Sequence, residues 1–302
     1  MKQYLCIDID SGVFRYGIVT EELDVLDTGR VTFPITSKEE LFEPLADICE
    51  QYEDDVEGVS ITMPGVIDEK KGMAYSGGVF RWVRNMEYAK EVSEMVNMPV
   101  AIYNDAKAAA LAEIGYGSLK GIRNGFMLMV LGGGIGGALV TDGHLLDGAH
   151  YAAGEFSYIR GDYKERDGDL AMFARSNGID GLTRCVEEET GVKNMNIIRI
   201  MSRIQSGNED VLRGVNKYCD RLATYIYNIQ CITDASRVVI GGNITDDPTF
   251  MKLIKEAVHR RFVNVPFQNI WEPEVVESDF HSNARMFGAV YNYRKIIEHV
   301  ED

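Results

Sequence analysis

The chain has 302 residues, 45% of them hydrophobic, and can therefore bury one large core or two ordinary ones. We expect two domains. The net charge of −16, from 31 basic and 47 acidic residues, argues against binding to nucleic acid or to an anionic membrane as the main task, because both need basic surfaces.

The five cysteines are scattered along the chain, and no two of them are spaced as a Cys-x-x-Cys pair. A disulfide scaffold and a four-cysteine zinc site are therefore not expected. The chain enters an apolar strand directly after Met1–Gln3, and no run reaches the roughly 18 apolar residues of a membrane-spanning helix. These features predict a soluble cytoplasmic protein.

Two glycine-containing hairpins are predicted, one in each half of the chain. In the first, the apolar strand Tyr4–Asp10 turns at Ser11-Gly12 and resumes through Gly17–Thr20. In the second, Phe126–Leu131 runs into the glycine-rich segment Gly132–Gly137. Glycine permits a positive φ angle and a close approach of the backbone to a ligand. Two such turns could hold the two ends of one polyphosphate between two similar domains.

Strands alternate with helices after the first hairpin, which predicts a parallel or mixed α/β sheet. The predicted elements are a helix over Ser37–Tyr52, a strand over Val56–Met63, a helix over Asn85–Met98, a strand over Val100–Tyr103 and an alanine-rich helix over Ala106–Ile114. Ser37 and Glu40 have the spacing of a capping box at the start of the first helix.

The second half repeats this pattern after its hairpin. Its predicted elements are a charged irregular stretch over Arg160–Asp169, a helix over Val215–Ile232, a strand over Arg237–Ile240 and a closing helix over Asn283–His299. The Val215–Ile232 helix places apolar residues on one face, namely Val215, Cys219, Leu222, Ile226 and Ile229.

Polar or glycine-rich segments follow buried strands, where α/β proteins usually bind ligands. Gly132–Gly137 offers consecutive amides suited to phosphate oxygens, although a flexible turn would also explain it. Asp105, at the end of a strand, could accept a proton from a substrate hydroxyl while Asn104 positions the substrate. The alternative for this pair is a helix N-cap. The helix N-terminus favours the ionised form of Asp105, so we expect a weak base.

Two further segments carry candidate binding residues. Gly154–Tyr158 could bind a sugar through Glu155 and Tyr158. Gly241-Gly242 follows a buried strand and could pass close to an adenosine group, or could equally be a turn into a helix.

These motifs, in this order, resemble the ROK family (repressors, open reading frames and sugar kinases) of the actin-like ATPase fold, an α/β, ribonuclease H-like fold. The resemblance covers essentially the whole chain. The matching segments are Asp8–Gly12 for Asp-Ile-Gly-Gly-Thr, Pro64–Asp68 for Pro-Gly-x-x-Asp, Asn104–Ala106 for Asn-Asp-Ala, Leu131–Ala138 for Leu-Gly-Thr-Gly-Ile-Gly-Gly-Gly, Ala153–Glu155 for Ala-Gly-Glu, and Ala284 with Gly288-Ala289 for the closing helix.

The resemblance implies an ATP-dependent sugar kinase that uses Mg²⁺, binds a small-molecule sugar and forms a homodimer. It implies two α/β domains with a cleft between them, one over residues 1–116 and 284–302 and a larger one over residues 117–283. Asp105 is then the general base. The implied sugar-binding residues are Gly65, Asn104, Glu155 and Tyr158. The implied nucleotide-binding residues are Asp8, Gly12, Gly132, Gly133, Gly134, Gly241 and Gly242, with Asp8 also near Mg²⁺.

The first phosphate turn departs from the family pattern. Asp10 stands where the family has glycine, beside the expected γ-phosphate, and Gly12 stands where it has threonine. In the second phosphate turn, Gly133 also stands where the family has threonine. At about 4 Å and an effective dielectric constant of about 20, one contact between like charges costs roughly 4 kcal/mol. A Mg²⁺ ion between Asp8, Asp10 and the phosphates would reverse that sign. Arg15 stands where the family often has lysine and could offer a compensating positive charge, although we expect it on the strand surface.

The family's zinc signature is absent, because Tyr158 stands at its histidine position and no cysteine lies between Cys49 and Cys185. We therefore predict no zinc site. No helix-turn-helix module precedes Asp8, which disfavours a DNA-binding repressor. The segment around Tyr158 is similar to the zinc-free subgroup with bacterial β-glucoside kinases, which phosphorylate a glucosyl 6-hydroxyl. The leading hypothesis is a kinase for a hexose or β-glucoside. The alternative is a degenerate member that binds sugar without phosphoryl transfer, as a sensor.

Overall fold

The computed structural model describes residues 1–161, 172–265 and 269–300. The charged stretch predicted over Arg160–Asp169 therefore lies outside the described residues from position 162 onward. The chain divides into two compact units. The first comprises Met1–Gly117, Asp147–Ala153 and Asn283–Asp302, and the second comprises Ser118–Leu146 and Gly154–Ser282.

The first unit contains a five-stranded sheet and a smaller three-stranded sheet. Its strands are β1 (Gln3–Asp10), β2 (Val13–Thr20), β3 (Val25–Thr32), β4 (Val59–Met63), β5 (Ile67–Asp68), β6 (Met73–Gly77), β7 (Phe80–Met86) and β8 (Val100–Asn104). The main sheet has the order β3-β2-β1-β4-β8, and β5-β6-β7 form the small sheet. β1 pairs antiparallel with β2 and parallel with β4. Because β1 is the central strand, every residue from Tyr4 to Ile9 is buried.

The first hairpin has the two-residue turn that the sequence predicts. Ser11 has a φ angle of +44° and Gly12 one of +90°, so both central residues take the left-handed conformation typical of tight hairpin turns. A Cβ atom at position 12 would also collide with the carbonyl oxygen of Phe33. The turn fixes the register in which Asp8 lies opposite Arg15.

The helices of the first unit are α1 (Lys38–Glu50), α2 (Tyr88–Val96), α3 (Asp105–Tyr116) and α9 (Ala284–Ile296). Ser37 caps α1 as predicted, since its Oγ accepts a hydrogen bond from the Glu40 amide at 3.3 Å. The Glu40 carboxylate reaches back one residue further than in a capping box, to the amide of Thr36 at 2.6 Å.

The helices α3 and α9 pack against each other at unusually small residues. A Cβ atom at Gly288 would collide with the carbonyl oxygen of Ala108, so only glycine allows this approach. Hydrogen bonds from Ser60 to the carbonyl oxygen of Ala289 and from Asn292 to that of Ile102 tie α9 to the sheet. These hydrogen bonds attach α9 to β4 and β8.

The second unit repeats the sheet topology of the first. Its strands are β9 (Gly125–Val130), β10 (Ile135–Thr141), β11 (His144–Leu145), β12 (Arg237–Gly241) and β13 (Glu274–Glu277), in the order β11-β10-β9-β12-β13. β9 pairs antiparallel with β10 and parallel with β12, as β1 does with β2 and β4. The two glycine-containing hairpins are therefore equivalent parts of two similar sheets, and each unit has its own hydrophobic core.

The helices of the second unit are α4 (Phe173–Asn177), α5 (Ile179–Thr190), α6 (Ile197–Gln205), α7 (Glu209–Thr233) and α8 (Pro248–Val263). α7 begins earlier than the predicted Val215. The five apolar residues predicted on its inner face are all buried. No helix within the described ranges combines the length and the apolar composition needed to cross a membrane.

Several predicted boundaries were wrong. Residues 147–153, predicted in the larger domain, pack with the first unit, because the buried amino group of Lys107 contacts the Tyr151 carbonyl oxygen there. The second predicted helix begins at Tyr88 because Phe80–Met86 forms a strand. The strand predicted from Val56 begins at Val59, and the closing helix ends at Ile296.

Candidate active site

Asp8 lies near the carboxyl end of β1, and residues on both neighbouring strands hold its carboxylate. Arg15 on β2 donates from Nη1 to Oδ2 at 3.1 Å, and Thr62 on β4 donates from Oγ1 to Oδ1 at 3.0 Å. Nη1 of Arg285 lies 3.0 Å from the same Oδ2. Arg15, which we expected at the strand surface, is therefore a partner of the buried Asp8 carboxylate.

The donor set around Asp8 does not fit a Mg²⁺ ion coordinated directly by this carboxylate. Both oxygens already accept from protein donors, and two adjacent guanidinium groups repel a divalent cation. Within the described ranges, no three or more His, Cys, Asp or Glu side chains are grouped so that they could hold a metal ion. Asp8 was predicted near a Mg²⁺ ion that ATP brings, and that placement stays a prediction.

Asn104 and Asp105 lie at the junction of β8 and α3. Asn104 is the N-cap, since its Oδ1 accepts from the Lys107 amide at 3.0 Å, and its Nδ2 donates to the Gly65 carbonyl oxygen at 2.9 Å. Asp105 is the first residue of the helix, and its Oδ1 accepts from the Ala106 amide at 2.8 Å. The capping role therefore belongs to Asn104.

Burial raises the pKa of Asp105 to about 7. The residue is 4% exposed, which disfavours its ionised form, and the charges of Asp8 and Asp10 act in the same direction. The charge of Arg285 and the Ala106 amide oppose this shift. Our prediction of a weak base is therefore wrong, because desolvation outweighs the helix N-terminus. A carboxyl group that titrates near neutral pH is well suited to accept a proton.

Arg285 is a site residue that we did not predict. It lies in the first turn of α9 and is 8% exposed. Its Nη1 lies 3.0 Å from Asp8 Oδ2 and 3.9 Å from Asp10 Oδ2. Burial lowers its pKa, but the charges of Asp8, Asp105 and Asp10 together raise it above the usual value. Arg285 is therefore a permanently charged group beside Asp8 and Asp10, and its charge also acts on Asp105.

A second buried cation, Lys107, lies two residues after Asp105. It is 1% exposed, and its Nζ contacts the Tyr151 carbonyl oxygen at 3.0 Å and Asp147 Oδ1 at 3.5 Å. The hydroxyl group of Tyr103 lies 3.5 Å from the same Asp147 oxygen. Lys107 thus attaches residues 147–153 to the helix that carries Asp105.

The glycine-rich loop Gly132–Gly134 joins β9 to β10 in the second unit. None of its three glycines has a positive φ angle. A Cβ atom added at Gly132 would have no neighbour within 4 Å. One added at Gly133 would lie 3.9 Å from Asp180 Oδ2, and one added at Gly134 would lie 3.6 Å from Ala174 Cβ. Neither backbone conformation nor packing therefore requires glycine here. A ligand that approaches the backbone amides would explain all three.

Gly242, by contrast, is required by the chain itself. Gly242 has a φ angle of +96°, and a Cβ atom there would collide with the Val130 carbonyl oxygen. A Cβ atom at Gly241 would meet only the ends of the flexible Met127 and Met129 side chains, which can shift. These contacts favour the alternative of a turn into a helix, and a nucleotide-binding role stays a prediction.

The predicted site residues are divided between the two units. Asp8, Gly12, Gly65, Asn104 and Asp105 belong to the first unit, and the remaining ones belong to the second. Glu155 precedes a single 3₁₀ turn, Phe156–Tyr158, and its carboxylate accepts from Ser157 Oγ at 3.3 Å. Tyr158 is 62% exposed. The sugar-binding role of these two residues stays a prediction.

Solved structures define the class of fold. A ROK family glucokinase from Streptomyces griseus, in complex with glucose and AMPPNP, matches with a TM-score of 0.83 at 20% identity, over 96% of this chain and 98% of that one. A ROK family transcriptional regulator, a homologue of the E. coli MLC protein, matches with a TM-score of 0.81 at 20% identity, over 97% of this chain and 78% of that one. The predicted actin-like ATPase fold is confirmed.

The family follows from the sequence match. The model of the ROK family matches residues 4–295, and the chain therefore belongs to this family. The Beta-glucoside kinase of Klebsiella pneumoniae is 24% identical over 98% of this chain and 97% of its own length. The predicted family resemblance is thus confirmed.

Proposed function

We propose that this protein is an ATP-dependent carbohydrate kinase that transfers the γ-phosphoryl group of ATP to a hydroxyl group of a sugar. The main observation behind this proposal is that Asp105, at the start of α3, is a buried carboxyl group with a pKa of about 7. Membership of the ROK family and the similarity to a Beta-glucoside kinase over nearly the whole chain support the proposal.

Asp105 acts as the general base in this proposal. Its carboxylate accepts the proton of the attacking hydroxyl while the sugar oxygen bonds to the γ-phosphorus, and the bond from that phosphorus to the β-γ bridging oxygen breaks to release ADP. Asn104 and the Gly65 backbone are joined by a hydrogen bond of 2.9 Å, so they form one rigid surface beside this base. They orient the sugar, and positioning supplies most of the rate acceleration.

Phosphate binding is assigned to backbone amides. We propose that the amides at Gly12 and at Gly132, Gly133 and Gly134 bind phosphate oxygens. The absence of any steric or conformational need for glycine at positions 132–134 supports this role. Gly241 and Gly242 keep their predicted place near the adenosine group, although the packing around Gly242 itself accounts for that glycine.

We propose a hexose or β-glucoside as the acceptor and its 6-hydroxyl as the attacking group, with Glu155 and Tyr158 binding the sugar. We also propose Mg·ATP as the phosphoryl donor, a homodimer as the assembly and the cytoplasm as the location. The named relative, a Beta-glucoside kinase, supports the substrate class.

The test is ADP release with Mg·ATP across a panel of hexoses, N-acetylhexosamines and β-glucosides. We expect turnover with at least one sugar and its loss in Asp105→Asn. Mass spectrometry of the product and regiochemistry by NMR identify the phosphorylated hydroxyl. Turnover that survives Asp105→Asn would contradict the assigned mechanism, and an absence of turnover with every sugar would contradict the kinase assignment.

A second candidate function is sugar binding without phosphoryl transfer. The observation that favours it is Asp10, whose carboxylate lies at the turn where a kinase of this family would bind phosphate and is 25% exposed. Calorimetry with the same sugars separates the two. Sugar binding without ADP release supports the sensor, and sugar-dependent ADP release supports the kinase.

A further inference from the structure

The guanidinium group of Arg285 is buried beside the first hairpin and lies between two carboxylates of β1. Its Nη1 is 3.0 Å from Asp8 Oδ2 and 3.9 Å from Asp10 Oδ2. Asp8 and Asp10 are two residues apart on one strand, so they project from the same face of the sheet. Arg285 reaches that face from α9, a helix distant in sequence, and its side chain is 10% exposed.

Asp8 accepts hydrogen bonds from two residues other than Arg285. Arg15 donates to its Oδ2 at 3.1 Å and Thr62 donates to its Oδ1 at 3.0 Å. Asp10 makes an ion pair with Arg285 at 3.9 Å. The two guanidinium groups of Arg15 and Arg285 therefore balance the two carboxylates, with Arg285 closest to Asp8 and farther from Asp10.

One donor nitrogen of Arg285 forms ion pairs but no hydrogen bond. Its buried Nη1 makes no hydrogen bond to any described residue, because its contact with Asp8 is short but lacks hydrogen-bond geometry. A buried donor without an acceptor is rare in a native fold and usually indicates a ligand or a functional role. An oxygen of an anionic ligand would satisfy this group, and a guanidinium matches a phosphoryl group in shape and charge.

We propose that Arg285 is a phosphate-binding residue of this site and that Asp10 is its counter-ion. Arg285 cancels the negative charge that Asp10 places at the hairpin turn, and its Nη1 donor binds an oxygen of the ATP phosphates. The carboxylate that stands where the family has glycine is then one half of a charge pair, and its repulsion of the nucleotide is removed. This inference rests on the proposed kinase function, because it assigns the nucleotide as the ligand.

The test measures binding of the non-hydrolysable ATP analogue AMPPNP by calorimetry, so its readout does not depend on turnover. We expect Arg285→Met to weaken binding at least 10-fold, because the donor is lost and Asp10 becomes an unbalanced charge. Asp10→Asn should bind AMPPNP as tightly as the wild type or more tightly. The double variant should recover at least 3-fold of the loss seen in Arg285→Met.

The matched control is Arg15→Met, alone and combined with Asp10→Asn. Arg15 pairs with Asp8 and Arg285 pairs with both carboxylates, so Asp10→Asn should rescue the loss of Arg15 less than the loss of Arg285. If Arg285→Met does not fold, as judged by circular dichroism, Asp10→Asn and Arg285→Lys decide instead. Arg285→Lys keeps the charge and should lose less affinity than the 10-fold expected for Arg285→Met. Weaker AMPPNP binding by Asp10→Asn, or a double variant no better than Arg285→Met, overturns the inference.

Turnover assays separate this inference from the proposed function. If Asp10→Asn rescues AMPPNP binding by Arg285→Met but no sugar causes ADP release, the inference is supported and the proposed kinase function is contradicted. If a sugar causes ADP release but Asp10→Asn does not rescue AMPPNP binding by Arg285→Met, the inference is contradicted and the proposed kinase function is supported. No binding of AMPPNP by the wild-type protein would overturn both.

Discussion

Asn104 caps helix α3 through its own side chain and so keeps the neighbouring carboxyl group of Asp105 out of the capping role. The Asn104 Oδ1 accepts from the Lys107 amide at 3.0 Å, whereas Asp105 Oδ1 accepts from the next amide, at Ala106. One residue thus stabilises the helix terminus and the next is left for chemistry. Three predictions concern Asp105.

We expect Asp105→Asn to lower kcat by about 10²- to 10⁴-fold, the usual contribution of a general base. The amide keeps the shape of the side chain but cannot accept the proton. Sugar affinity, measured by calorimetry, should change much less, because Asn104 and Gly65 remain in place. The control is Asp142→Asn, an exposed surface residue paired with Arg123, whose kcat should equal that of the wild type. Equal kcat values for all three proteins would contradict the role of Asp105.

The pH dependence of kcat/KM should follow the ionisation of Asp105. Only the ionised carboxylate of Asp105 can accept a proton. Since burial raises the pKa of Asp105 to about 7, this form predominates above pH 7. We expect kcat/KM to rise about 10-fold per pH unit below pH 7 and to level off above it. Asp10→Asn removes a charge that raises the pKa of Asp105, so the rising limb should move to lower pH. A limb that does not move in this variant belongs to another group, such as the nucleotide.

Asp105 should also weaken the fold at neutral pH. Its pKa is raised from 3.8 to about 7 on folding, so the native state holds a proton that the unfolded chain releases between those two values. The free energy of unfolding therefore falls as pH rises from about 4 to 7 and is lowest, for this group, above pH 7. We expect Asp105→Asn to be more stable than the wild type at pH 8, by at most about 4 kcal/mol, and equally stable at pH 4. Urea unfolding at both pH values measures this difference, and a constant difference would contradict it.

The sequence predicted the strands that are buried and the turns that need special backbone angles. The hairpin at Ser11-Gly12 and the cap at Ser37 have local causes, and both were found. β3 was not predicted, because it is an edge strand with exposed residues such as Leu26 and lacks a buried apolar pattern. Local sequence signals therefore located the central strands and missed those defined by pairing alone.

The candidate site was predictable only where a motif marks it. Asp8, Asn104 and Asp105 stand in recognisable segments at strand ends, whereas Arg285 comes from a helix that closes the chain. Its contact with Asp8 is a tertiary contact between residues 277 positions apart, and nothing local indicates it. The sign of the Asp105 pKa shift was missed for the same reason, because burial is a tertiary property that the helix terminus alone does not indicate.

Glycine substitutions test the phosphate-binding loop. Gly133→Ala should fold normally, since its φ angle is not positive and a Cβ atom would meet only Asp180 Oδ2, at 3.9 Å. We expect it to weaken ATP binding about 10-fold, because the methyl group lies where a phosphate would approach. Gly242→Ala is the contrasting variant and should destabilise the protein by roughly 1–3 kcal/mol, because its φ angle of +96° is strained for alanine. Normal ATP affinity in a folded Gly133→Ala would contradict the loop's assigned role.

Lys107 should be a large contributor to the stability of the first unit. Its side chain is 2% exposed and carries a charge that contacts Asp147 and the Tyr151 carbonyl oxygen. Lys107→Met leaves these acceptors without their buried donor, and we expect a loss of about 2–4 kcal/mol in the free energy of unfolding. The matched control is Lys71→Met, since Lys71 is 67% exposed and pairs with the buried Asp68 at 3.3 Å, so its loss should be about 1 kcal/mol or less. Limited proteolysis adds a local readout, because residues 147–153 should become easier to cleave in Lys107→Met and not in Lys71→Met. Equal urea midpoints for the two variants would show that the buried contacts of Lys107 stabilise the protein no more than the exposed ion pair of Lys71.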